Sequence, residues 1–108
     1  LEIFRQVRSA RAATPPVIDA RDLLESPRRI LALLCEALET PFEETMLAWP
    51  AGLRETDGVW AEHWYPEVQH STSFGPYIPK SEPLPESLRD VLNRCDEAYQ
   101  ELFKHRLR

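Results

Sequence analysis

The sequence is short of several things, and each shortage excludes something. There are two cysteines in 108 residues, too few for a disulfide framework. Cys35 and Cys95 each fall in a helix-like segment beside apolar residues. We read them as buried free thiols, with a disulfide between them as the lesser alternative. That reading places the chain in a reducing cytoplasm. No apolar run approaches the ~20 residues of a membrane-spanning helix. There is no basic excess: 18 acidic and 13 basic residues leave a net charge of −5. This argues against a duplex nucleic-acid binder and against a surface built for anionic membranes. The first residues, Leu1-Glu2-Ile3-Phe4, carry neither methionine nor a basic leader, so no signal peptide is visible and a truncated start is expected. There are only three glycines.

What is present has a clear order. Residues 1–13 read as a helix with Phe4, Val7 and Ala10 on one face, stopped by Pro15-Pro16. Val17-Ile18-Asp19-Ala20 reads as one buried strand. Ser26-Pro27 then opens a helix, with serine as N-cap and proline at the first turn. Ile30, Leu31, Leu34, Ala37 and Leu38 form its core face. Thr40 to Glu43 has capping-box spacing, so a short helix is expected through Met46 and Leu47 to Trp49. Residues 50–85 hold six of the ten prolines and all three glycines. They also hold Trp60, Trp64, Tyr65, Phe74 and Tyr77. So long a loop is either functional or disordered, and its aromatic content favours a pinned, functional one. From Glu86 to His105, apolar residues recur at Leu88, Val91, Leu92, Cys95, Tyr99, Leu102 and Phe103. This is the clearest amphipathic helix, and its pattern predicts a core-facing side. The segments are therefore 1–49 (helix, strand, helix, helix), 50–85 (aromatic loop) and 86–108 (terminal helix), within one domain or part of one.

A lone buried strand is costly, because its backbone N–H and C=O groups have no partners. The expectation is that Val17–Ala20 pairs with strands of a parallel sheet that these residues do not supply, and hence that the chain is part of a larger fold.

Pro16-Val17-Ile18-Asp19-Ala20-Arg21-Asp22-Leu23-Leu24 followed by Ser26-Pro27 resembles a late strand–helix unit of the sulfotransferase family. The likeness continues through Leu34 to Leu38, Pro41 to Gly52, Asp57 to Tyr65 and Ser71 to Phe74, in the manner of a bacterial-type branch. The Trp-rich stretch is its most specific part. The resemblance implies the C-terminal portion of a P-loop-like α/β fold. This portion would be mostly helical, with about one strand and a long aromatic loop. It also implies a parent reaction that moves a sulfuryl group from 3′-phosphoadenosine 5′-phosphosulfate to a hydroxyl or amine. Departures accompany the likeness. No Gly-x-x-x-x-Gly-Lys loop is present. Glu25 stands where a phosphate-binding arginine would precede Ser26-Pro27-Arg28, and a carboxylate there repels phosphate. The family's late Arg-Lys-Gly clamp is missing, and Glu39-Thr40 replaces the usual Leu-Gly helix stop. The chain alone is therefore expected to be inactive.

The candidate cofactor-binding or acceptor-binding residues are Trp60, His63, Trp64, Tyr65 and His70. The rings suit stacking on adenine or lining an acceptor pocket, and they suit equally well anchoring the loop. His63 and His70 lie seven apart without a His-Glu-x-x-His pattern, so no metal is expected. Their default role is a structural hydrogen bond or exposure. Ser71 and Ser73 read first as turn residues. Arg28 and Arg29 open a helix against its dipole, a solvated face or an anion contact. No catalytic residue is assigned. Two rivals to the enzyme reading are a non-catalytic module that pairs strands or dimerises, and a small hydrolase using His63 or His70. The expected partner of the parent protein is a small-molecule acceptor, not nucleic acid or a membrane.

Overall fold

The computed structural model describes all 108 residues apart from the side chains of Glu62 and Trp64. The protein is mostly helical: α1 (Glu2–Arg11), α2 (Ala20–Glu25), α3 (Pro27–Ala37), α4 (Ala61–Trp64), α5 (Pro66–His70) and α6 (Arg89–Phe103). Single 3₁₀ turns at Glu44–Met46 and Glu86–Leu88 complete the order.

The expected strand is corrected by the structure. Only Val17 is paired, in an isolated parallel bridge with Arg106. Its carbonyl accepts from the Leu107 N–H at 2.9 Å. The neighbour expected from outside these residues is thus supplied, at this one position, by the chain's own tail. Extended backbone ends at Asp19, whose carboxylate accepts from the N–H groups of Arg21 at 2.9 Å and Asp22 at 3.3 Å. This N-cap starts α2 at Ala20, since it satisfies donors that a helix start leaves orphaned. The cap ends the extended segment at Asp19, and with a ladder partner at Val17 alone no strand forms.

Ser26 sits at the junction of α2 and α3. Its N–H donates to Asp22 O, and its carbonyl accepts from Ile30 N. It occupies the N-cap as expected, but its side chain makes no capping bond; Pro27 holds the first turn by its fixed φ. On α3, Ile30 and Cys35 are buried. The helix closes in a Schellman arrangement, with Thr40 N donating to Cys35 O at 2.9 Å and Glu39 N to Glu36 O at 3.1 Å. Glu39 takes φ 54° in the position where glycine is usual. The departure from Leu-Gly therefore keeps the turn but strains it. The capping box at Thr40 does not form. The Thr40 hydroxyl donates to Cys35 O at 3.5 Å, and only a 3₁₀ turn at Glu44–Met46 follows.

Arg28 and Arg29 open α3 against its dipole. Arg28 pairs with Glu44 and lies over the Phe42 ring, 5.9 Å from its centroid. The pair ties the α3 N-terminus to the turn that follows the helix, and Arg28 holds the Glu44 carboxyl below its ordinary pKa.

The two ends of the chain meet. Arg106 donates to Asp22 Oδ2 at 2.8 Å and to Phe103 O at 3.0 Å, and its guanidinium lies 3.5 Å from the Phe103 ring centroid. The Tyr99 hydroxyl donates to Asp19 Oδ2 at 2.8 Å. The Phe4 and His105 ring centroids are 5.1 Å apart. Burial pushes the Asp19 carboxyl up. The Tyr99 bond, the two amide donors and the Arg106 charge outweigh burial, so its pKa lies below the ordinary value.

Two further expectations change. Cys35 is buried, as read from the sequence, but Cys95 is exposed, and both thiols are free. The N-terminal part of α6 is not buried in a core: Val91 and Leu92 are nearly half exposed, as is Leu88 just before it. The chain exposes 9143 Å², against roughly 6,200 Å² for a compact monomer of this mass. Its radius of gyration is 17.1 Å, where about 13 Å is usual for this length. Among the described residues, no helix is long and apolar enough to cross a membrane.

Candidate functional site in the aromatic loop

Residues 48–73 form a loop that closes on itself. Ala48 and Ser73 make an antiparallel bridge at its base. Next to it, Trp49 N donates to Thr72 O at 2.9 Å, and the Trp49 indole N–H donates to Ser71 Oγ at 3.1 Å. The Ser71 hydroxyl donates in turn to Val68 O at 2.8 Å. The Phe74 ring stands edge-on to Trp49, at 5.4 Å and 88°. Further in, Gly52 N donates to Gln69 O at 2.7 Å, and Gln69 Nε2 donates to the carbonyl of buried Ala61 at 3.1 Å. Gly52 has φ 111°, a conformation that L side chains rarely adopt. The loop is thus pinned by rings and hydrogen bonds, as its aromatic content predicted, and it contains α4 and α5, which its prolines and glycines hid.

The loop borders an open-sided cavity of about 380 Å³ whose walls include Trp49, Arg54, Asp57, Tyr65, Val68 and Gln69. A second hollow of about 300 Å³ shares Arg54 and Asp57. The turn carrying these two is tight: Arg54 N donates to Asp57 Oδ2 at 2.9 Å, and Asp57 N donates to Arg54 O at 2.9 Å. In that Asx-type turn one oxygen of the carboxylate accepts from backbone. Among the described residues no carboxylate pairs with the Arg54 guanidinium.

Of the residues singled out from the sequence, Tyr65 is the one that lines this cavity. Trp60 is exposed and stands just before α4. His63 is exposed and lines neither hollow. His70 is exposed, with Nδ1 2.6 Å from Pro66 O, a local contact of the structural kind. The Trp64 side chain lies outside the described residues. Ser71 anchors Trp49 and Ser73 forms the base bridge, so both hold the loop. Among the described residues no group of three or more His, Cys, Asp or Glu converges as metal ligands do. The sequence reading missed Trp49, assigned to the preceding helix, and Arg54. The Asp57-Gly58 turn signal was the available clue that residues 54–57 fold back on the rings.

The Sulfotransferase domain family matches residues 10–107. The chain belongs to that family. Sulfuryl transfer is the chemistry for which that family is named. The chain is also similar to two Arabidopsis thaliana proteins. It is 45% identical over 95 residues to branched-chain-amino-acid aminotransferase-like protein 1, covering 85% of this chain and 17% of that protein. It is 39% identical over 93 residues to branched-chain-amino-acid aminotransferase-like protein 2, with the same shares of 85% and 17%. The chain thus spans 17% of the length of the curated relatives it matches, and their names describe those proteins as wholes. No solved structure matches it.

The phosphosulfate donor can be tested against the residues present, and they do not fit it. A phosphosulfate and a 3′-phosphate need a glycine-rich backbone cradle and several cations. Arg28, the cation nearest the Ser26-Pro27 turn in sequence, is engaged by Glu44. Glu25 carries a negative charge beside that turn and pairs with Arg21 at 2.8 Å.

Proposed function

We propose that these 108 residues are the C-terminal portion of a P-loop-like sulfotransferase domain. Its parent reaction moves a sulfuryl group from 3′-phosphoadenosine 5′-phosphosulfate to a hydroxyl or amine of a small molecule. The donor's anionic groups are held by residues outside this chain, which by itself is inactive. The chain's contribution is the helical flank and the aromatic loop that shapes the acceptor side. The protein works in the cytoplasm, without a nucleic-acid or membrane partner. Membership of a bacterial-type branch rests on the Trp-rich stretch alone.

The observation that carries this reading is the surface. The sulfotransferase match covers nearly the whole chain, yet the chain exposes about half as much area again as a compact monomer would. The excess of roughly 3,000 Å² lies on this chain alone and is at least as large as the share one partner gives to an obligate association. A domain completed by further polypeptide explains both facts. A calorimetric titration with 3′-phosphoadenosine 5′-phosphate tests it. The longer polypeptide should bind at micromolar concentrations and the 108 residues alone should not. Micromolar binding by the short chain would overturn the proposal.

A second reading, a non-catalytic interaction module, is favoured by the half-exposed apolar residues of α6 and the turn before it. Size-exclusion chromatography separates the two, since a folded, monodisperse monomer of the short chain counts against self-association through that face.

A further inference from the structure

We infer that the cavity within residues 48–73 is a binding site for a flat organic anion: an aromatic or similarly planar molecule whose carboxylate or like acidic group pairs with Arg54. As the acceptor site of the domain, this rests on the sulfuryl-transfer reading. As a binding site, it stands on the loop alone.

Four observations carry it. First, the site is self-contained. Every wall residue lies between Trp49 and Gln69, and the loop is closed by its own hydrogen bonds, Trp49 to Thr72 and Gly52 to Gln69. Its shape does not depend on whatever covers α6. Secondly, at about 380 Å³ it falls at the small end of the roughly 300–1,000 Å³ range of ligand pockets, enough for one or two rings. Thirdly, a ring of its wall is held in place. Trp49 is fixed by Ser71 and by Phe74, so it has little rotamer entropy left to lose on binding.

Fourthly, the wall carries a guanidinium. Arg54 is the one lysine or arginine among the residues that line the cavity, and no carboxylate among the described residues pairs with it. One oxygen of Asp57, its neighbour in the turn, accepts from the Arg54 backbone N–H. A planar guanidinium offers two parallel N–H donors to a carboxylate and stacks on aromatic faces. One such cation can pair with one acidic group of a ligand. It cannot balance the several charges of the phosphosulfate donor.

The test uses para-hydroxyphenylacetate and its neutral amide, para-hydroxyphenylacetamide, as probes. Binding to the longer polypeptide and to the 108-residue chain is read by quenching of tryptophan fluorescence, with far-ultraviolet circular dichroism as a folding control. Saturable binding of the acid, at least ~10-fold tighter than the amide, is expected. Arg54→Gln should erase that preference, and Arg54→Lys should keep part of it. Equal affinity for acid and amide in the unsubstituted protein, no saturable binding of either, or an unchanged preference in Arg54→Gln would each overturn the inference. The readout needs no donor. Arg54-dependent binding without sulfuryl transfer would therefore sink only the proposed function, and transfer without Arg54-dependent preference would sink only this inference.

Discussion

Removing the Arg106 side chain should unfasten the two ends of the fold. Its guanidinium bonds Asp22 Oδ2 at 2.8 Å, with the two side chains only 18% and 22% exposed. It also bonds the Phe103 carbonyl and covers the Phe103 ring. Fully exposed ion pairs are worth roughly 0.2–1 kcal/mol, while breaking a buried pair by removing one partner costs about 3–5 kcal/mol. A pair four-fifths covered lies between these limits, so Arg106→Gln should cost about 2 kcal/mol in urea unfolding. A double-mutant cycle with Asp22→Asn isolates the pair, and a coupling of ~1–1.5 kcal/mol is expected. Because the pair is mostly covered, over half of that coupling should survive in 1 M salt, where exposed charges are screened beyond roughly 3 Å. Coupling within ~0.3 kcal/mol of zero would mean that Arg106 and Asp22 act independently, and the reasoning about this contact would fail.

Glu39→Gly should raise stability by ~0.5–1 kcal/mol in the same assay. It relieves a left-handed non-glycine residue at some cost in unfolded-state entropy. Asp19 has a lowered folded pKa, so its stabilisation is present above the unfolded value near 3.9 and is lost as pH falls through the folded one. Tyr99→Phe should move the Asp19 titration, followed by carboxyl NMR shifts, upward and narrow that acid window; an unmoved titration would remove Tyr99 from the account. A thiol reagent should label Cys95 rapidly and Cys35 slowly in the short chain. In the longer polypeptide Cys95 should slow markedly, because α6 is then covered.

The sequence was most legible where one signal acted alone. The Ser26-Pro27 start of α3, the burial of Ile30 and the place of α6 follow from periodicity and fixed φ, and the structure has them, though Ala37 and Leu38 of the expected α3 core face are exposed. It misled where a local side-chain bond competed with pattern. Val17-Ile18 looked like a strand, but the Asp19 carboxylate caps α2 two residues on; an aspartate before Ala20-Arg21-Asp22-Leu23-Leu24 was the available sign. Periodicity located α6 but could not say what covers it, since half the apolar face of a helix can be meant for polypeptide beyond these residues. The contact of Arg106 with Asp22 spans 84 positions, and nothing in composition or spacing announces it. At the loop, aromatic content pointed to Tyr65, which lines the cavity, while Trp60 and His63 stand elsewhere on the loop and Trp49 and Arg54, which also line it, were not singled out. Ring chemistry identifies a loop, but only its fold-back decides which rings share a wall.

The most direct measurement is transfer of a radiolabelled sulfuryl group from 3′-phosphoadenosine 5′-phosphosulfate to a panel of phenols and amines. It should be run in parallel on the longer polypeptide and on residues 1–108 alone. Turnover by the former and none by the latter is predicted. Turnover by the 108 residues alone, or none by the polypeptide that contains them, would contradict the account.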